Sequence, residues 1–125
     1  MPLASTTAEN QALNGLDASG TPTNLMAATA LHVSTGPSTT GANENANTGG
    51  YNRQSTSWNA ASGGAKTNST SLTFATAGSV QVTAVGQWSS TTYGGGTYGI
   101  GASLTTPVTA ASITVASGAI SYSAS

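Results

Sequence analysis

The chain has 125 residues with Lys+Arg 2, Asp+Glu 3 and a net charge of −1, so 4% is charged, against roughly 25% in an ordinary soluble domain. Two cations neutralise at most two phosphates, which leaves no electrostatic route to DNA, RNA or an anionic membrane. Cysteine is absent, which removes disulfides and thiolate metal sites.

This length suits one domain. Ala, Thr, Ser and Gly fill 77 of the 125 positions, and only 25 are larger apolar residues. That is a thin supply for a core. A nearly uncharged surface also gives little protection against association, so an oligomer or assembly component is expected. MPLASTTAEN lacks the basic start and apolar run of a secretory signal. LMAATALHV is about half the length needed to span a bilayer.

A helix is predicted near residues 7–17, with Thr6 as N-cap and Glu9 completing a capping box. Ala8, Ala12, Leu13 and Leu16 then share a face that needs something to pack on. Asn14-Gly15, Ser19-Gly20 and Thr21-Pro22 end it. Residues 1–24 therefore form an N-terminal arm with a short helix, residues 18–24 a linker, and residues 25–125 the main domain.

From Leu25 the period changes to two. Leu25, Ala27, Thr29, Leu31 and Val33 fall on one face, and His32 on the other, outer face of an edge-like strand. YNRQSTSW (51–58) alternates without an apolar face, and SLTFAT (71–76) aligns Leu72 with Phe74. SVQVTAVGQW (79–88) predicts Val80, Val82, Ala84, Gly86 and Trp88 inward, with Gln81, Thr83, Val85 and Gln87 outward. TYGIGASL aligns Tyr98, Ile100, Ala102 and Leu104; ASITVA and AISYSA flank a Ser117-Gly118 turn. About seven short strands punctuated by Gly, Ser and Pro predict an all-β domain, a small antiparallel β-sandwich or barrel.

The chemistry-bearing motifs are weak. A Ser-His-Asp triad would need His32 and Asp17, with no nucleophile elbow in the sequence. Gly94-Gly95-Gly96-Thr97-Tyr98-Gly99 satisfies G-x-G-x-x-G, but a strand follows where phosphate binding needs a helix, so it reads as a hairpin connection. Asn43-Glu44-Asn45-Ala46-Asn47 offers alternating oxygens but one carboxylate, short of a calcium loop. Glu9, Asp17 and Glu44 supply no convincing glycosidase pair. Asn68-Ser69-Thr70 is a formal glycosylation sequon. No enzyme activity and no cofactor are expected. Tyr51, Trp58, Trp88, Tyr93, Tyr98 and Tyr122 read first as core or subunit anchors and second as a sugar-stacking platform.

Glu44 and Arg53 carry two of the five formal charges, nine residues apart across Gly49-Gly50. A loop folding back on the strand at 51–58 brings them into bidentate contact. Shielded at a subunit contact, such a pair specifies geometry more than it adds stability.

At STGPSTTGANEN, YNRQSTSWNAASGG, NSTSLTFATAG and ITVASGAISYSAS, the chain resembles a family of small tailed-phage virion proteins, met especially in phages of actinobacteria. The pattern L-H-x-x-x-x-P-x-T-T-G-A-N-E, then Y-x-R-Q-x-x-x-W-x-A-A-S-x-G, carries the likeness, which extends over about residues 25–125. It implies a β-rich virion structural protein without enzymatic role, in a family labelled variously head decoration or tail fibre. His32, Glu44, Tyr51, Arg53 and Trp58 match the motif and are the expected loop-anchoring and protein-interaction residues. Together with the single domain and uncharged exterior, the resemblance points to a capsid decoration (cement) protein. It would be made in the bacterial cytoplasm, assemble as a trimer of itself and bind the major capsid protein, with no nucleic-acid or membrane partner. The alternative is a tail-associated fibre protein that binds a host-surface glycan.

Overall fold

The computed structural model describes residues 6–16, 23–34 and 39–123. The helix α1 (Thr6–Leu16) precedes eight strands: β1 (Ala28–Val33), β2 (Gln54–Ser55), β3 (Ala65–Thr67), β4 (Leu72–Ala75), β5 (Val82–Trp88), β6 (Tyr98–Val108), β7 (Ser112–Val115) and β8 (Ser121–Ser123). The Thr6 side chain, Asp17 and residues 18–22, which carry the expected cap, triad aspartate and linker, lie outside the described residues. So do residues 35–38 of the long loop.

Among the described residues all strand pairing is antiparallel and no barrel closes: β2, β1, β5 and β6 form a four-stranded sheet with β2 and β6 at its edges. β4 pairs with β7 and β3 with β8. These last two pairings continue one another with a one-residue offset, so they form one long ribbon interrupted at Asn68. Asn68 spans the interruption. Its Nδ2 donates to Thr70 O at 2.9 Å and Ala116 O at 3.0 Å, and its Oδ1 accepts from Ile120 N at 2.9 Å. The sequon asparagine is thus wholly buried and its amide nitrogen is used inside the fold.

The core lies between the four-stranded sheet and the ribbon, where Leu31, Val85 and Ile100 meet Leu72, Phe74, Ile113 and Tyr122. Antiparallel partners share a face, so Thr29 opposite Gln87 and Leu31 opposite Val85 define the core side. Val85 and Gln87, predicted outward, are therefore corrected: they face the core at 3% and 0% exposure. Ala84, Gly86 and Trp88, predicted inward, occupy the opposite face. Val82 stays in the core because the register shifts between Val82 and Ala84. A second shift, at Gly99, turns Tyr98 to the side of Trp88 while Ile100 and Ala102 stay on the core side. Each bulge inserts residues and inverts the alternation beyond it.

Both faces of this sheet are covered, which corrects the reading of His32 as a surface residue on an edge strand. His32 is 1% exposed. β1 is central, because β2 pairs with its first half and the chain at Asn43 and Asn45 hydrogen-bonds its second half through Val33 N and Leu31 O, both at 2.8 Å. The strand expected over 51–58 shrinks to Gln54–Ser55, having no apolar face to dock. β3, between Gly64 and Asn68, has no apolar period and was not anticipated.

Polar groups do part of the core's work. The Thr29 hydroxyl donates to Gln87 Oε1 at 2.8 Å and lies 2.6 Å from the Thr56 hydroxyl, while Gln87 Nε2 donates to the Tyr122 hydroxyl at 3.1 Å. Satisfied in this way, the buried amide avoids the penalty of an unpaired polar group. The helix is held more lightly. Ala8 is buried, and the Gln11 amide pairs with the backbone of Thr23 at 2.9 and 2.5 Å. Leu13 and Leu16 are 65% and 85% exposed, so most of the predicted apolar face has no partner among the described residues.

Phe74→Ala is expected to lower the free energy of unfolding by about 3–5 kcal/mol, since it empties a fully buried site. Leu13→Ala is expected to change it by less than about 0.5 kcal/mol. Urea titration followed by tryptophan fluorescence measures both.

Candidate functional site

Three of the five expected site residues, His32, Glu44 and Arg53, come together on the sheet face opposite the core, and the Tyr51 hydroxyl reaches them from the core side. Ala28, Ala30, Ala84, Gly86 and Gly101 line this face with minimal side chains, leaving room for a layer of rings made by His32, Trp88 and Tyr98. Trp88 and Tyr98 meet edge to face, with centroids 5.3 Å apart. His32 lies 5.9 Å from Tyr98 and nearly parallel to Trp88, at 9° between ring planes. A Cβ on Gly86 would collide with the His32 ring and stand 2.8 Å from Tyr98, so glycine is required there for space.

Arg53 closes the layer. Its guanidinium carbon sits 3.9 Å from the Trp88 ring centroid, a cation–π contact. Nε and Nη2 donate to Glu44 Oε2 and Oε1 at 2.9 and 2.8 Å, while Nη1 donates to Ser90 O and Gly95 O at 2.9 and 2.8 Å. The side chains of the pair are 0% and 9% exposed. The shielding comes from the chain's own segments: the arm at 39–45, the stretch at 51–53 and the β5–β6 connection. Gly41, with φ +81°, brings the arm onto Trp88 so closely that a Cβ would lie 2.6 Å from the indole. Asn43 takes φ +62°, a conformation that asparagine tolerates better than most residues.

Tyr51 links this cluster to the core. Its hydroxyl donates to Glu44 Oε2 at 2.9 Å and accepts from Leu31 N at 3.0 Å, while its ring stacks on Phe74. Burial and the adjacent Glu44 carboxylate push the Tyr51 hydroxyl well above the usual tyrosine range. Burial alone pushes Tyr98 up to about 12. For His32, burial lowers the pKa below its ordinary value and outweighs the Ala42 carbonyl and Glu44, which raise it, while Arg53 lowers it further. His32 is thus held neutral: Nδ1–H donates to Ala42 O at 2.9 Å, which leaves the Nε2 lone pair facing Trp88 Nε1 at 3.5 Å.

Trp58 stands apart. It donates from Nε1 to Met26 O at 2.8 Å and tilts against Tyr122 at 5.8 Å, anchoring the ribbon's end and the entry to β1. Trp88, Gly41, Ser90 and Gly95 belong to the cluster, yet sequence reasoning did not place them there. The available signal was the pair of charges in a chain with so few.

Chemically this arrangement holds and does not open. Both Glu44 oxygens are engaged by Arg53 and Tyr51, so the 43–47 loop has no free carboxylate for a cation. Among the described residues, no cluster of three His, Cys, Asp or Glu could bind a metal. The glycine run at 94–99 leads from the β5–β6 connection into β6, with Gly94 and Gly96 at positive φ and Ser89 N bonded to Thr97 O at 3.0 Å. Of the six aromatic residues read as a possible sugar platform, Tyr51, Tyr98 and Tyr122 are buried, and Tyr93 is the one well-exposed ring at 42%.

Fold and site define a small all-β domain locked by a buried ion pair. The family model described as Podophage GP4 fiber I protein gp80 matches residues 3–122, and the chain belongs to that family. It is therefore a bacteriophage virion structural protein, as the resemblance in the T-T-G-A-N-E and Y-x-R-Q motifs implied. A comparison with curated proteins finds no match.

Glu44→Gln is expected to destabilise the fold by about 3–5 kcal/mol by stranding a buried guanidinium, read as a lowered urea midpoint. The pH dependence has a fixed sign. Because His32 titrates lower in the folded state than in the unfolded chain, the unfolded chain binds more protons below about pH 6.5. The contribution of neutral His32 is complete above that pH and is lost as pH falls toward the folded-state value. Melting temperature should therefore drop between pH 7 and pH 5, and His32→Gln should flatten that part of the profile.

Proposed function

We propose that the chain is a non-catalytic subunit on the outside of the virion, a rigid β domain held there by contacts with copies of itself and with a neighbouring virion protein. The observation that carries this is how the charged site is used. Both Glu44 oxygens and four guanidinium hydrogen bonds are spent inside the molecule, and His32 is buried and held neutral. Groups committed in this way set the shape of a surface and are not poised to react.

The family description names a fibre protein, and this favours a fibre-type component over the capsid decoration protein expected from sequence. Decoration of the head is the second reading. It draws on the compact single domain with no repeat, which suits a cap on a shell better than a shaft. A cap that binds only the assembled shell stabilises it by RT ln(1 + [L]/Kd) per site. Glycan binding by the fibre would have to centre on Tyr93 and the Thr- and Gly-rich connection around it.

Cryo-electron microscopy of the intact virion separates these readings. Density for this domain in a fibre, with bare shell elsewhere, is the expected result; density on the head alone would replace it with decoration. Purified chain should bind virions depleted of it and release no product from host envelope polysaccharide. Turnover of any such polysaccharide that His32→Ala abolishes would overturn the non-catalytic role.

A further inference from the structure

The sandwich has an uncovered seam between β6 and the turn joining β7 to β8. There an apolar groove of about 510 Å³ is floored by Val85, Ile113 and Ile120 and walled by Leu104, Val108 and Val115. No charged side chain lines it. The seam is open because β6 leaves the ladder. Ser103 pairs with Ala84 and the next partner on β6 is Val108, opposite Val82, so residues 104–107 bulge out of register. With Pro107 in the bulge, this length of edge cannot template a further strand. An occupant must enter by side chains.

Further back along β6, at Gly99 and Ile100, the sheet already takes a helix, since Ala8 and Ala12 of α1 line a crevice with those two residues. The same helix leaves Leu13 and Leu16 uncovered by the described residues, at 65% and 85% exposure. Spaced i, i+3, they share one face, and no charge lies between Asn10 and Leu16. Groove and helix face match in lacking charge, and neither is filled by the chain's own described residues.

We propose that the groove is the socket for Leu13 and Leu16 of a second copy of this chain. Each copy then carries one plug and one socket on different surfaces. The contact is heterologous, closing into a ring or propagating as a row according to the angle between copies. A single contact of two leucines is smaller than a standard stable interface, so it is weak between free molecules. It becomes durable when copies are tethered side by side and each additional contact forms intramolecularly. The proposal holds or fails on this surface alone, whether the domain sits in a fibre or on a head.

Because the chain has no cysteine, introduced thiols report on the contact cleanly. A Leu16→Cys/Val115→Cys variant, oxidised at high concentration, should give disulfide-linked dimers and larger species on a non-reducing gel. These should be several-fold more abundant than from a Leu16→Cys/Thr91→Cys control, whose second thiol is exposed but away from the groove. Yields equal to the control, or a cross-link confined to the monomer, would overturn the proposal. Leu13→Asp/Leu16→Asp and Leu104→Asp should each abolish self-association in sedimentation, and mixing the two should restore a 1:1 dimer, since each retains the half that the other lacks. Circular dichroism melts confirm that each variant is folded. At a concentration where the unaltered chain self-associates, a mixture that stays monomeric, both variants being folded, would also overturn it.

Discussion

One guanidinium organises this molecule. Arg53 lies on Trp88, forks onto Glu44 and donates to two carbonyls of the β5–β6 connection. Three stretches that the sequence holds apart are thereby fixed to one planar group, whose directions of bonding are rigid. The attraction within the pair is offset in large part by the desolvation of both charges, so its effect is on uniqueness more than on stability. An apolar residue of similar size could fill the volume, but it could not dictate where the arm and the connection must lie.

The rest of that face follows from the need to admit the rings. Alanines and glycines on β1, β5 and β6 keep the sheet surface low, and His32, Trp88 and Tyr98 fill the depth so created. The opposite face does the reverse: Leu31, Val85 and Ile100 stand up from the sheet and meet Phe74 and Ile113 from the ribbon. With few large apolar residues to spend, the fold adds buried but satisfied polar groups, Gln87 between Thr29 and Tyr122 and Asn68 across the interrupted ribbon. Their hydrogen bonds add to the register already set by the buried apolar face.

The all-β class, the antiparallel pairing and the helix near the N-terminus were legible because period-two alternation and Gly-Ser punctuation are local signals. Leu31 and His32 were correctly put on opposite sides of β1. The meaning of the second side was not legible, since alternation says nothing about whether a distant arm covers a face. Parity along β5 and β6 failed at the shift before Ala84 and at Gly99, because a bulge leaves no mark in hydrophobic pattern. The pairing of Glu44 with Arg53 could be anticipated from scarcity of charge. That Trp88 lies beneath the guanidinium could not, because only the fold brings residues 53 and 88 together.

Burying the pair also changes what the exterior presents. With Glu44 and Arg53 neutralising one another inside, the formal charges left in the sequence are Glu9, Asp17 and Lys66. A surface so close to neutral owes its hydration to hydroxyls and amides, which neither repel their like nor respond to ionic strength. Many copies can therefore be crowded onto a small area without the self-repulsion that a highly charged domain accumulates as its neighbours multiply. Such a domain meets fresh water and brine with nearly the same surface.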